Sequence, residues 1–355
     1  MNFDQIQSLL KEYPISEATA PGLKRFGNGH IHGTFLVQAG TKKFILQQFN
    51  STVFKSPETI ASNQSQVARE AHFEALSFEV PLPIATRSGK LLFEADGKYF
   101  RLFDFVDGKS VDYPESETQA KEAAKGFGGF AAAMNNINPE DLNDTIPDFH
   151  RLDLRFQQFF EGIPGKELSE EEKLLVDYYA EQKSIIEKYS NIIKRLPIRI
   201  THNDTKLNNL IFSKDLLHLK AVIDLDTLMP GFLMYDFGDL VRTAASGVDE
   251  NNEDWDSIGL QIGLFQSLAE GYLEGFGEEI TKEEIESLHW AGEFMTLMMG
   301  LRFLTDHLDG NKYYHVHHPL ANLVRTKNQM LLLESLKAHR LEIREIFSKL
   351  LSDKN

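Results

Sequence analysis

The chain changes character near residue 110, and that change limits what it can become. Before it, apolar residues come in short paired runs separated by turn signals. "GTFLVQAGTKKFILQQF" holds two such runs around Gly40, and "GKLLFEADGKYFRLFDFV" holds two more around Asp96-Gly97. Asp-Gly between apolar runs is a strong hairpin signal, because both central positions of the tightest turn need positive φ. Between the hairpins, "SPETIASNQSQVAREAHFEAL" reads as a helix with Ser56 as N-cap and Pro57 at its first position. Beyond residue 110 helical periodicity dominates. Ser169 with Glu172, and Thr281 with Glu284, form capping boxes ahead of apolar-periodic runs. Two strand-like pieces, "IRIT" and "LKAVIDL", interrupt the helices. The pattern predicts an α+β chain with a small β-rich lobe over residues 1–105 and a larger, mainly helical lobe over 106–355, joined near "FDFVDG".

Composition narrows the function. A length of 355 residues suits two lobes better than one small core. The 53 acidic residues outnumber the 37 basic ones for a net charge of −16, a field that repels phosphate backbones, and no Lys/Arg-rich run offsets it. Nucleic acid is therefore not an expected partner. The absence of cysteine removes disulfides, thiolate metal sites and cysteine nucleophiles. "MNFDQIQSLLKEY" lacks the basic flank and apolar stretch of a signal peptide. "FMTLMMGLRFL" is short and interrupted by Arg302, so it reads as a buried helix and not a membrane span. The expectation is a cytoplasmic protein with no membrane partner; its oligomeric state is left open.

The chemistry concentrates in "RITHNDTKLNNLIFSKDLLHLKAVIDLDT". His202, Asp204 and Asn209 fall on a turn after one strand, and Asp224 ends the next. Phosphoryl transfer needs a carboxylate to orient and deprotonate the acceptor hydroxyl, and oxygen ligands to hold magnesium on the nucleotide phosphates. Magnesium keeps several waters and takes only one or two protein ligands, so one Asn and one Asp suffice. Asp204 fits the first task; Asn209 and Asp224 fit the second. Singly, each reads as a solvated polar residue on a turn. Together, with Asn209 five and Asp224 twenty residues after Asp204, they point to a phosphotransferase. A competing metal candidate is Asp236, in a "DFG" tripeptide of the kind that marks the metal aspartate of protein kinases.

"HNDTKLNN" followed by "VIDLDTLMPGFLMYDFGDLVRTAA" resembles the aminoglycoside phosphotransferase and choline kinase-like superfamily. The sequence is most similar to the N-acetylhexosamine 1-kinases within it, a likeness that "FVDG", "GLRFLTDHL" and "NLVRTKNQ" extend over most of the chain. The resemblance implies a bilobal protein-kinase-like fold and ATP and Mg2+ as cofactors. It makes Asp204 the catalytic base, Asn209 and Asp224 the metal ligands, and Asp236 a brace for the catalytic loop. It also implies a small-molecule sugar as acceptor.

Nucleotide-binding candidates lie in the first lobe. Gly27, Gly29 and Gly33 in "GNGHIHG" open the first hairpin, where glycines let backbone N–H groups approach phosphates. A plain glycine turn is the alternative. A P-loop is excluded, because "GKS" at 108–110 has Phe103 where that motif needs glycine. A kinase strand such as "FILQQFN" ends in a phosphate-contacting lysine; here the position is Gln47, which donates a hydrogen bond but carries no charge. The resemblance implies the same glutamine. Asp104, Phe105 and Val106 form the stretch expected to pair with adenine.

For the acceptor, Arg302 and Asp306 lie four apart on one helix face in "GLRFLTDHL", either as a simple ion pair or as sugar ligands. His30 beside the glycine loop, which could equally be a plain loop histidine, Asp226 two residues after Asp224, either a sugar contact, a support for the metal site or a structural acid, and Tyr314 in "YYHVHHP" complete the candidates. The three histidines of that loop lack the supporting ligands of a zinc site. An aminoglycoside, choline or another sugar are the sibling acceptors. A catalytically inactive binding module is the reading from another class, disfavoured by Asp204, Asn209 and Asp224 occurring together.

Overall fold

The computed structural model describes residues 3–15, 24–26, 32–51 and 54–352. Gly27, Gly29 and His30 lie outside the described residues. The paired apolar runs build an antiparallel sheet of β1 (Lys24–Arg25), β2 (Gly33–Ala39), β3 (Lys42–Gln48), β4 (Phe93–Ala95) and β5 (Lys98–Asp104), in the order β1-β2-β3-β5-β4. Asp96 and Gly97 both take positive φ, 51° and 69°, in the β4–β5 turn, as the Asp-Gly signal requires. Side chains alternate across the sheet. Val37, Phe44, Leu46, Phe100 and Leu102 pack with Ile6, Leu9, Leu10 and Tyr13 beside helix α1 (Phe3–Leu10). The opposite face carries Ile45, Gln47, Arg101 and Phe103, with Gln47 paired to Arg101 and Ile45 to Phe103.

Helix α2 (Pro57–Glu70) follows β3, with Pro57 in its first turn; the Ser56 side chain makes no capping hydrogen bond. Asn63 and Gln64 are buried on α2. Asn63 Nδ2 donates to the carbonyls of Asn143 at 2.7 Å and Leu228 at 2.9 Å, which ties this helix to the second lobe.

That lobe holds α3 (Glu117–Ala132), α4 (Leu152–Gly162), α5 (Glu170–Ala180), α6 (Lys183–Ile192), α7 (Leu233–Ala244), α8 (Ile262–Phe276), α9 (Lys282–Leu308), α10 (Ala321–Ala338) and α11 (Arg340–Ser352). Both capping boxes form, at the starts of α5 and α9. Helix α9 runs 27 residues through the core and carries "FMTLMMGLRFL"; among the described residues no helix is long and apolar enough to cross a membrane. The predicted strand pieces form two small ladders, β6 (Arg199–Thr201) with β9 (Met229–Gly231) and β7 (Leu210–Phe212) with β8 (Leu219–Val222). These ladders fix both ends of the 202–209 turn and the start of the 223–228 turn.

Candidate active site

Residues 202–209 form a loop whose backbone is held from below by Asp236. Its two carboxylate oxygens accept from the backbone N–H of Asn203 at 2.7 Å and of His202 at 2.9 Å. The Thr205 hydroxyl donates to the Asp236 carbonyl at 2.5 Å. Asp236 is fully buried, and burial raises its pKa from 3.8 to about 6, against the nearby His202 and the two N–H donors that favour the charge. Its neighbours in the tripeptide answer to other constraints. Phe237 packs in the core. A Cβ on Gly238 would stand 2.4 Å from the Ala291 carbonyl oxygen, so this glycine lets α7 and α9 touch backbone to backbone.

The loop presents Asp204 towards the cleft. Lys206 Nζ lies 2.9 Å from one carboxylate oxygen, and Asn209 Nδ2 donates at 2.9 Å to the other and at 2.7 Å to the Asp204 carbonyl. Burial works against the Asp204 charge, but Lys206, His202 and Asn209 outweigh it and hold the carboxyl below its usual range. Asp204 in turn raises the pKa of Lys206. Because the Asn209 amide nitrogen is committed to Asp204, its oxygen is the end left for a cation. The Asn209 carbonyl accepts from Ile223 N–H at 2.9 Å, which seats the next residue, Asp224, beside the loop. Asp224 adopts a left-handed conformation, φ 64° and ψ 64°. Among the described residues no donor reaches its carboxylate. It opens onto the cleft, yet the surrounding protein and the charges of Asp226 and Asp204 raise its pKa to about 6. An unpaired carboxylate crowded by two others, next to a free amide oxygen, is a donor set that suits Mg2+.

Asp226 does not face an acceptor. Arg101 of β5 grips it with both terminal nitrogens, at 2.5 and 2.8 Å, and His32 Nε2 adds a contact at 2.6 Å. Burial would raise its pKa; Arg101 and His32 reverse that and lower it. The carboxylate is saturated by protein donors, which corrects its assignment as a sugar ligand. Arg101 and His32 were missed in the sequence, as was Lys206, though "HNDTK" carries it two residues from Asp204. Gln47 accepts from Arg101 Nε at 2.9 Å. Gly33 opens β2 opposite Gln48. In the connector after β5, Asp104 ends the strand and Val106 is buried. Phe105 N–H donates to the Lys43 carbonyl at 3.2 Å, and Val106 N–H meets no acceptor among the described residues.

On the far side of the loop, His150 donates from Nε2 to the Asn203 carbonyl at 3.1 Å, within electrostatic reach of both Asp204 and Arg302. Arg302 does not pair with Asp306. Its guanidinium lies over the rings of Phe149, Tyr313 and Tyr314, at 4.9, 5.5 and 5.5 Å, with no carboxylate partner among the described residues. Asp306 instead accepts from the backbone N–H groups of Lys312, Tyr313 and Tyr314 at 2.7–3.0 Å and from Asn322 Nδ2 at 2.8 Å. The chain returning over the end of α9 has claimed every lone pair, so Asp306 positions the Tyr313–Tyr314 loop and is not itself a sugar ligand. Among the described residues the buried Tyr314 hydroxyl has no hydrogen-bond partner, nor has Nε of nearby Arg155 on α4. Arg155 carried no sequence signal beyond a charge on a helix.

A sheet lobe over a helical lobe, with an Asp-Lys-Asn loop beside a second aspartate, is the arrangement of the kinase-like phosphotransferases. The chain belongs to the phosphotransferase enzyme family, which it matches over residues 22–282. Two curated relatives are similar to it. A homoserine kinase of Agrobacterium fabrum is 23% identical over 233 residues, and one of Xanthobacter autotrophicus is 25% identical over 237. Each match spans 66% of the relative, just under two thirds of its length. Among solved structures, an aminoglycoside phosphotransferase from Alicyclobacillus acidocaldarius matches at TM-score 0.67 and 12% identity, covering 97% of this chain and 96% of that one. A microcompartment-associated aminopropanol kinase matches at TM-score 0.60 and 17% identity, covering 96% and 98%. A spectinomycin phosphotransferase solved with ADP and spectinomycin matches at TM-score 0.54 and 13% identity, covering 93% and 99%. These three likenesses establish the fold.

Proposed function

We propose that the protein is an ATP- and Mg2+-dependent small-molecule kinase that phosphorylates an N-acetylhexosamine, GlcNAc or GalNAc, at its anomeric hydroxyl. The observation that carries the kinase reading is the pairing of a Lys206- and Asn209-held Asp204 with the unpartnered Asp224. Asp204 orients the acceptor hydroxyl and takes its proton. Lys206, two residues on, neutralises charge on the transferred phosphoryl group. Asn209 Oδ1 and Asp224 are the residues that would hold Mg2+, and a bound ion would offset the charge of the nucleotide phosphates. Ile45 and Phe103 on the cleft face of the sheet offer an apolar cover for adenine, and the free Val106 N–H an edge contact.

The sugar reading rests on the likeness of "GLRFLTDHL" to the N-acetylhexosamine 1-kinases and on a cluster of polar groups around Arg302 with donor or acceptor capacity left over. Among the described residues Arg302 has aromatic rings but no acid against it, and the buried Tyr314 OH and Arg155 Nε atoms have no hydrogen-bond partner. A hydroxyl-rich ring supplies acceptors and donors for all three. The anomeric hydroxyl is the most acidic on such a ring, which suits a carboxylate of lowered pKa such as Asp204. A second reading follows from the same two guanidiniums: their charges also suit a carboxylate-bearing alcohol such as homoserine, the substrate named for the two curated relatives. Phosphorus–proton NMR of the products, with GlcNAc, GalNAc and homoserine offered separately, decides between them. Coupling of phosphorus to H1 is the expected result. Coupling to H6 refutes the anomeric position, and turnover of homoserine alone refutes the sugar reading.

A further inference from the structure

Protein kinases ready their nucleotide lobe with an ion pair between a lysine on the third strand and a glutamate on the helix that follows. Here that strand offers Gln47 and that helix offers Gln64, both uncharged, yet a charged pair spans the same space. Arg101, directly across from Gln47 on the sheet, is 2% exposed and makes a two-pronged contact with the equally buried Asp226. Its Nε donates to Gln47 Oε1, and the rings of Phe49 and Phe103 lie at 5.2 Å from the guanidinium. Gln64 leans on the other end, 3.4 Å from Asp226 Oδ1 and from the Leu225 carbonyl. His32, at the foot of the glycine segment, receives Asn50 N–H on Nδ1 at 3.0 Å, so its Nε2 carries the hydrogen given to Asp226.

We infer that the Arg101–Asp226 pair is the lobe-bridging clamp of this enzyme, a displaced substitute for the lysine–glutamate pair, which sets the turn carrying Asp224. Asp226 is two residues beyond Asp224 in the same short turn, and every strong donor to it comes from the sheet lobe. Whatever holds Asp226 therefore fixes where the Asp224 carboxylate stands relative to the sheet that covers the nucleotide. An arginine suits the task because its planar fork fixes direction as well as charge, which a lysine does not. Arg101 and Asp226 are positioning residues in this scheme. The inference rests on Asp224 as a metal ligand and is independent of the choice of sugar.

The test is titration calorimetry of ADP into the full chain, once with Mg2+ and once with EDTA, and it involves no acceptor. Arg101→Gln and Asp226→Asn should each weaken ADP binding in Mg2+ by about 10–100-fold, the usual cost of losing a group that orients a metal ligand. Binding in EDTA should barely change, and the double variant should be no worse than the weaker single one, because either loss already frees the turn. Equal weakening in EDTA would make Arg101 a direct phosphate ligand and overturn the clamp. Additive losses in the double variant overturn it too. If Arg101→Gln does not fold, Arg101→Lys takes its place, and a full Mg2+ effect in that variant refutes the proposal.

Discussion

Replacing Asp236 by Asn separates the role of this residue from that of Asp224 and has a signature in pH. In the folded chain the buried carboxyl titrates near 6 instead of 3.8, so the fold binds its proton more tightly than the unfolded chain does. The stability this group contributes is therefore complete below pH 3.8 and is lost as pH rises to 6. Between pH 5 and pH 8 that loss is on the order of 1 kcal/mol for the wild type. Asparagine does not titrate, so the destabilisation caused by Asp236→Asn should be larger at pH 5 than at pH 8, by on the order of 1 kcal/mol.

Geometry sets the remainder. An amide offers one acceptor where the carboxylate offers two, so either His202 N–H or Asn203 N–H is left facing another donor. One unsatisfied buried donor costs about 1–3 kcal/mol. At pH 8 relief of the buried charge offsets part of that cost. Urea denaturation of both proteins at the two pH values gives the difference, in which other titrating groups cancel. The freed loop also misplaces Asp204, and a shift of about 1 Å at a reacting group can cost about 10²-fold in rate. Turnover should fall while Mg2+-dependent ADP binding persists. A penalty equal at both pH values, or larger at pH 8, refutes the buried-carboxylate argument. Loss of Mg2+-dependent binding here, with normal turnover in Asp224→Ala, would make Asp236 the metal ligand.

Asp204→Asn should bind nucleotide normally and lose about 10²–10⁴-fold in kcat, as steady-state kinetics will show; a change confined to nucleotide KM would make it a metal ligand instead. Arg302→Ala should raise the sugar KM with little effect on that of ATP. Asp306→Ala should raise the sugar KM and also lower Tm, because three backbone N–H groups lose their acceptor together; an unchanged Tm in thermal denaturation counts against the loop-positioning role.

Local chemistry was legible in the sequence where one short segment carries the whole cause. The Asp96-Gly97 turn and both capping boxes are of that kind, since each is closed by residues within three positions. The loop from His202 to Asn209 was legible because its donors and acceptors sit five residues apart. Arg101 was not. It reads as one more charged residue on a strand, and its partner is 125 residues away on the other side of the cleft. Asp306 misled for a related reason. Spacing of four on a helix favours a pair with Arg302, but near the end of α9 the returning chain competes, and its backbone donors won both carboxylate oxygens.

The "DFG" at 236–238 shows why a tripeptide identifies chemistry only through the contacts it makes. Three unrelated demands fall on adjacent residues of α7. The loop requires an acceptor for two N–H groups, which selects Asp236; the core requires bulk, which selects Phe237; and Ala291 on α9 leaves room for no side chain, which selects Gly238. A metal aspartate has the opposite need. Its oxygens must be free of protein donors and open to the cleft, and Asp224, held at positive φ after β8, meets that need while Asp236 cannot. The discriminating property is thus the count of donors already spent on each carboxylate. Two are spent on Asp236, and among the described residues none on Asp224.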